Sequence, residues 1–314
     1  MAPGSGEGLP QRGASTGSGP EPADGAPLRE EGPPAPRPTR APATSTRVLA
    51  VRDGRRAWRP DQVVTEEPLE IRAGGAHQEA VPIGVTMRTP GNDFELAVGF
   101  LLSEGLATAP EDVLAVRYCD LGPDQPQLYN VVSVTLAHPL GEEAFRRNFT
   151  ATASCGVCGT ATLDQLQWRC APLPAGPVVP LSVLVGLPGA LRAGQRLFER
   201  TGGLHAAGLF GVDGHLAAVR EDVGRHNALD KLVGGAALRR ELPLGQSLVA
   251  LSGRIGYELV QKVATAGAPI LVAVSAPSSL AIDTAERFGV TTVGFVRPGR
   301  ANIYTHPERV DLDA

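Results

Sequence analysis

Between residues 247 and 296, three short apolar runs alternate with two segments of helical pattern. The runs are SLVALSG (247–253), PILVAVSAP (269–277) and VTTVGFV (290–296); the helical segments are YELVQKVATAG (257–267) and SLAIDTAERFG (279–289). Strands that stay apolar along their length, instead of alternating with polar residues, have both faces covered. Strand and helix in regular alternation therefore predict an α/β layer architecture around a covered sheet. Upstream, HAAGLFGVDGHLAAV (205–219) reads as a hairpin, because Asp213-Gly214 is a tight-turn pair between apolar runs. A helix capped by Asp222 is expected from about 222 to 238.

The first half has a different texture. RVLAV (47–51), AVPIGVTMRT (80–89), VLAVRYC (113–119) and YNVVSVTL (129–136) read as strands. TPGNDFELAVGFLLSEG (89–105) reads as a turn and then a helix that starts near Asn92 or Asp93 and stops at Gly105. Residues 1–40 contain 17 Gly or Pro, with only Met1, Leu9 and Leu28 as large apolar side chains. Such a segment cannot bury enough surface to offset its ordering entropy, so a disordered tail is expected. A chain of 314 residues is long enough for about two domains. The expected organisation is a tail over 1–45, a small α+β portion over 46–150 and an α/β domain over 151–314. The stretch 171–191, rich in Pro, Gly and Leu, yields no definite element.

A net charge of −4 gives no electrostatic reason to bind nucleic acid or an anionic membrane surface. No apolar run approaches the roughly 20 residues that a membrane-spanning helix needs. The N-terminus lacks the apolar core of a secretory signal. Four cysteines are too few for a disulfide scaffold, and without an export signal they are read as reduced thiols in the cytoplasm.

Two of them, Cys155 and Cys158, stand in TASCGVCGTATLDQLQW (152–168), each followed by glycine. Thr162-x-x-Gln165 fits a capping box, so a helix is expected to begin near residues 160–162 with both thiols in the loop that enters it. Unpaired amides and the positive end of the helix dipole favour thiolate there. Glycine and serine neighbours argue against mere packing cysteines. Structural zinc would need Cys119 and Cys170 as well, and these lack a second C-x-x-C. A thioredoxin-like redox pair lacks its flanking βαβ unit. A zinc deaminase would pair H-x-E, literally present as His77-Gln78-Glu79, with P-C-x-x-C, but Ser154 occupies the proline position.

Polar groups gather elsewhere. VREDVGRHNALDKLVGG (219–235) carries Glu221, Asp222, Arg225, His226, Asn227, Asp230 and Lys231. Arg225, His226, Asp230 and Lys231 are expected on one side of the helix, either as a solvated face or as part of a site. His205 follows two glycines that let a ligand or another backbone approach closely. GFVRPGRANIY (294–304) puts Arg297 and Arg300 around Pro298-Gly299 after a strand, where ligands of open α/β sheets bind. That turn reads equally as a phosphate clamp or a basic surface turn. Ser278 and Ser279 open a helix at another strand end, a position that can receive an anion.

Taken in order, TPGNDFELAVGFLLSEG, SCGVCG, TGGLHAAG, REDVGRHNALDK, SGRIGYELVQK and VSAPSSLAID…GFVRPGRANIY resemble the FdhD family of formate dehydrogenase accessory sulfurtransferases, over about residues 47–306. The resemblance implies a cytidine-deaminase-like α/β portion beside a smaller α+β portion, in a homodimer. It implies that sulfane sulfur is taken from a cysteine desulfurase and carried as a cysteine persulfide. Delivery would be to the molybdenum cofactor bis(molybdopterin guanine dinucleotide), destined for formate dehydrogenase. Cys155 matches the persulfide-bearing residue and Cys158 its partner. Phe295, Val296, Arg297, Pro298, Gly299 and Arg300 match the segment that contacts the cofactor, and no permanently bound metal is expected. His226 and Asp230 are assigned to proton movement or to holding the cofactor. The alternatives are a cofactor-binding chaperone for formate dehydrogenase and, behind it, the zinc deaminase.

Overall fold

The computed structural model describes residues 41–119, 128–141, 149–150 and 171–313. Cys155, Cys158 and Cys170, the capping box and the expected tail up to residue 40 lie outside the described residues. The chain enters as a hairpin of β1 (Ala43–Arg52) and β2 (Arg55–Val64), the first three residues of β1 falling inside the expected tail. The turn is Asp53-Gly54, both at positive φ (51° and 75°), as a two-residue type I′ connection requires.

Four further strands and one helix follow: β3 (Glu67–Gly75), β4 (Val81–Arg88), α1 (Asp93–Ser103), β5 (Val113–Tyr118) and β6 (Val131–Leu136). With β7 (Phe149–Thr150) they form a sheet of order β5-β6-β3-β4-β7, in which β3 pairs parallel with β6 and antiparallel with β4. Neither β2 nor β3 was expected from sequence. The helix 89–105 appears as expected, with Asn92 as its N-cap and Gly105 at φ 68° beyond its end.

Next come β8 (Val179–Pro180), α2 (Leu181–Gly194), α3 (Arg196–Thr201), β9 (His205–Gly211) and β10 (Leu216–Asp222). The alternation then runs α4 (Arg225–Leu238), β11 (Ser247–Leu251), α5 (Tyr257–Thr265), β12 (Ile270–Ala273), α6 (Ser279–Phe288) and β13 (Thr291–Arg297). β14 (Arg300–Ile303) and β15 (Val310–Asp311) close the chain. The sheet order is β10-β9-β11-β12-β13-β14, with β11, β12 and β13 mutually parallel. Two expectations are corrected. The stretch 171–191 contains most of α2, whose Leu184, Leu187 and Leu191 form one buried stripe despite Pro188 within the helix. Asp222 does not cap α4; Gly224 does, and Asp222 is the last residue of β10.

The unbroken apolar strands are covered on both faces. Leu248 and Ala250 of β11, with Ile270 and Val272 of β12, pack with α2. Their neighbours Val249, Leu251, Leu271 and Ala273 join a larger core with α4, α5, α6 and α1. That same core takes in Leu69 and Ile71 of β3 and Val132 and Val134 of β6, so it extends across the expected 150/151 boundary. Each large aliphatic side chain buried this way contributes about 1.5–3 kcal/mol. No helix among the described residues is long and apolar enough to cross a membrane.

Candidate functional site

The carboxyl ends of β10, β11, β12 and β13 all open on one rim of the six-stranded sheet, together with the start of antiparallel β9. In sheet order the rim carries Arg225 and His226 after β10, His205 opening β9, Ser252–Gly256 after β11, Val274–Ser278 after β12 and Phe295–Arg297 ending β13. The loops brace one another. Ile255 N donates to Ala276 O (3.0 Å), Ser278 N to Ile255 O (3.0 Å) and Phe295 N to Ser275 O (3.2 Å). Ala206 N donates to Ser252 Oγ at 2.8 Å.

At the β13 end the strand bulges between Gly294 and Arg297, and Phe295 takes a left-handed backbone at φ 53°. A non-glycine residue there is strained, and this one is 45% exposed although it is aromatic. Arg297 is held by two bonds from Nη1, to Val274 O and Val296 O, both 2.7 Å. Pro298 and Gly299 (φ 76°) form the two-residue connection to β14 and set Arg297 opposite Arg300. Of the expected cofactor segment, Phe295, Arg297, Pro298, Gly299 and Arg300 are exposed, whereas Val296 is fully buried in the core. An exposed ring beside two guanidinium groups fits a nucleotide, with a face for the base and charge for the phosphates.

The polar motif 219–235 divides sharply. Most of it is internal. Asp222 is 0% exposed and Lys231 1%, with Lys231 Nζ 2.7 Å from Asp222 Oδ2 and 2.8 Å from Thr89 O. Asp222 also accepts from Thr89 N (3.1 Å), Gly224 N (2.8 Å) and Asn227 Nδ2 (3.1 Å). Asn227 Nδ2 donates in addition to Met87 O at 2.7 Å. Glu221 accepts from Leu197 N and Phe198 N at the start of α3. These groups fasten β10 and α4 to the β4–α1 connection and to α3. Asp230, assigned from sequence to the site, is likewise in the interior, 2% exposed, accepting from Ser103 Oγ (2.8 Å) and from Lys262 Nζ (2.8 and 2.9 Å). Burial pulls the Lys262 ammonium down, but the Asp230 and Glu104 carboxylates more than offset this and hold it above the ordinary lysine value.

Only Arg225 and His226 of that motif reach the rim. His226 Nε2 lies 2.7 Å from Glu258 Oε2, and Tyr257 Oη donates to Glu258 Oε1 at 3.2 Å. Burial pushes the Glu258 carboxyl up, yet the His226 hydrogen bond, Lys262 and Tyr257 together keep it below the usual carboxylate range. Burial and the Glu258 charge push the Tyr257 phenol well above its ordinary value. Sequence reasoning did not single out Tyr257, Glu258, Arg254 or Lys262. The available signal was GRIG (253–256), a Gly-bearing loop between a covered strand and a helix.

His77 and Glu79 lie exposed on a turn after β3, where Gln78 Oε1 accepts from Gly75 N (3.1 Å) and Leu140 N (2.9 Å). No group of three metal-ligating side chains occurs among the described residues. Cys119, just beyond β5, is not in a disulfide.

The chain is similar to known proteins over most of its length. Residues 64–311 match the model of the FdhD/NarQ family. The sulfur carrier protein FdhD of Mycolicibacterium paratuberculosis is 50% identical over 269 residues, covering 84% of this chain and 97% of that protein. The sulfur carrier protein FdhD of Streptomyces coelicolor is 49% identical over 275 residues, covering 85% of this chain and 95% of that protein. Among solved structures, a formate dehydrogenase accessory protein from Desulfotalea psychrophila superposes with a TM-score of 0.66 at 27% identity, covering 86% of this chain and all of that one. The chain belongs to the FdhD/NarQ family.

Proposed function

We propose that this protein is a sulfur carrier that serves formate dehydrogenase. The reading rests above all on near-complete alignment, at 50% identity, with a protein named as a sulfur carrier. In it, the Cys155 thiolate attacks the terminal sulfur of a desulfurase persulfide; the donor cysteine leaves as thiolate and Cys155 holds the extra sulfur. Attack by Cys158 Sγ on Cys155 Sγ then breaks the persulfide S–S bond and releases the outer sulfur as sulfide, leaving a Cys155–Cys158 disulfide that a dithiol reductant resets. The acceptor is the molybdenum of bis(molybdopterin guanine dinucleotide), a metal soft enough to take a sulfur ligand. Phe295, Arg297 and Arg300 grip the nucleotide portion, and the half-exposed ring on a strained bulge is the structural feature that favours this end of the rim. His226, oriented by Glu258, handles the proton of the transferred sulfur. The protein acts as a homodimer.

The test is intact mass after incubation with a cysteine desulfurase and cysteine. The expected result is a gain of sulfur that thiol reduction removes and that Cys155→Ala lacks. No gain in the wild type rejects the carrier reading and leaves a cofactor-binding chaperone.

A further inference from the structure

We propose that Arg225, Arg254 and His205 form an oxyanion site of their own, for a diphosphate group, at the opposite end of the rim from the Phe295 turn. The inference rests on the functional reading above only in taking the rim as the ligand face. Arg225 is the first residue of α4, Arg254 lies in the loop after β11 and His205 opens β9, so three separate elements contribute.

Among the described residues no carboxylate pairs with the two guanidinium groups. Neither the Arg225 nor the Arg254 guanidinium makes an ion pair or hydrogen bond among the described residues. Asp222, which acts on His205, and Glu258, beside His226, are already committed: Asp222 to Lys231, Thr89, Gly224 and Asn227, and Glu258 to His226 and Tyr257. Burial, then the charges of Arg225, His226 and Arg254, hold the His205 imidazole below its ordinary value, while Asp222 raises it. Two guanidinium groups without a paired carboxylate, beside an imidazole that can take up a proton, offer charge to an anion, and planar guanidinium forks suit phosphoryl oxygens.

The positions are also fixed. Arg254 lies between Ser252, which pairs with the backbone of Ala206, and Ile255, which is 1% exposed and bonded to Ala276 and Ser278. Gly253 gives His205 its room, since a Cβ there would stand 3.2 Å from His205 Nδ1. β11 and β12 separate β9 from β13, which at about 4.8 Å per strand places His205 roughly 14 Å, and the Arg254 loop roughly 10 Å, from the strand end that carries the Phe295 turn.

The experiment titrates the full-length protein with inorganic pyrophosphate and follows the His205 ring by NMR as a function of pH. Pyrophosphate is expected to raise the apparent His205 pKa. Arg225→Gln/Arg254→Gln should abolish that rise and weaken pyrophosphate binding at least about tenfold, as removal of two charge-assisted partners implies. Arg297→Gln/Arg300→Gln should leave the rise intact. The wild-type titration decides even where the double variant folds poorly. A His205 titration indifferent to pyrophosphate overturns the proposal, whether or not guanosine diphosphate still binds at the Phe295 turn. If the rise disappears instead in Arg297→Gln/Arg300→Gln, the proposal also fails, while the cofactor reading of that turn survives.

Discussion

Gly99 of α1 and Gly234 of α4 meet backbone to backbone: a Cβ on Gly234 would lie 2.6 Å from Gly99 N and 1.8 Å from Glu95 O. Reciprocally, a Cβ on Gly99 would lie 1.9 Å from Asp230 O. The helices that join the two sheets therefore cross in direct main-chain contact, with Arg220 and Glu95 paired beside them, Nη2 to Oε1 at 2.6 Å. Gly99→Ala or Gly234→Ala must push the helices apart and open the shared core. The expected cost exceeds the 1–3 kcal/mol usual for overpacking, about 3 kcal/mol or more, because neither clashing atom can rotate away. Urea unfolding measures it. A loss below about 1 kcal/mol would mean that the crossing is looser than described.

His226 and Asp230 stand one helical turn apart and should behave oppositely. Asp230→Ala strands the Lys262 ammonium in the interior, at a cost of about 3–5 kcal/mol, and should appear first as lost stability. His226→Ala removes a rim side chain and should leave the melting temperature within a few degrees while slowing sulfur transfer from loaded protein. Persulfide loading, read by mass, should be unchanged in His226→Ala. Normal transfer by that variant would remove His226 from the reaction.

Which parts of the molecule were legible in advance follows from what each signal encodes. Period and turn chemistry are local, so β11, β13, the Asp213-Gly214 hairpin and the bounds of α1 came through. Asp53-Gly54 carries the same turn signal, yet β2 is mostly exposed and lacks the apolar run that would have announced its strand. In α2, Pro188 and the neighbouring glycines hid a leucine stripe. Burial is a property of the assembled chain, so nothing local distinguished Asp222, Asp230 and Lys231, which bind the fold together, from Arg225 and His226, which face the rim. The left-handed backbone of Phe295 had no local signature either, since glycine or asparagine would normally occupy it.

Stability should depend on pH through His205. Its folded pKa is lowered by burial and then by Arg225, His226 and Arg254, against Asp222, so the native state binds this proton less readily than the unfolded chain. Stability is then complete above the ordinary histidine value of about 6.5 and declines as pH falls below it toward the folded pKa. Urea midpoints at pH 7 and pH 5 should differ more for the wild type than for His205→Asn, which removes the titrating ring. Equal differences in both proteins would assign the decline to other groups.

Phe295→Gly separates strain from function at one position. The phenylalanine sits at φ 53°, a region that costs a non-glycine residue about 1–2 kcal/mol and glycine almost nothing. Its ring is 45% exposed, so truncation forfeits little burial. Glycine also adds freedom to the unfolded chain, which opposes the gain by several tenths of a kcal/mol. The net expectation is a stability equal to the wild type or up to about 1 kcal/mol higher, read from the urea midpoint. Guanosine diphosphate binding should weaken by about tenfold in the same variant, as loss of a stacking face implies. A residue kept for packing would produce the reverse pattern, lower stability with unaltered nucleotide affinity, and that outcome would move the cofactor contact away from the end of β13.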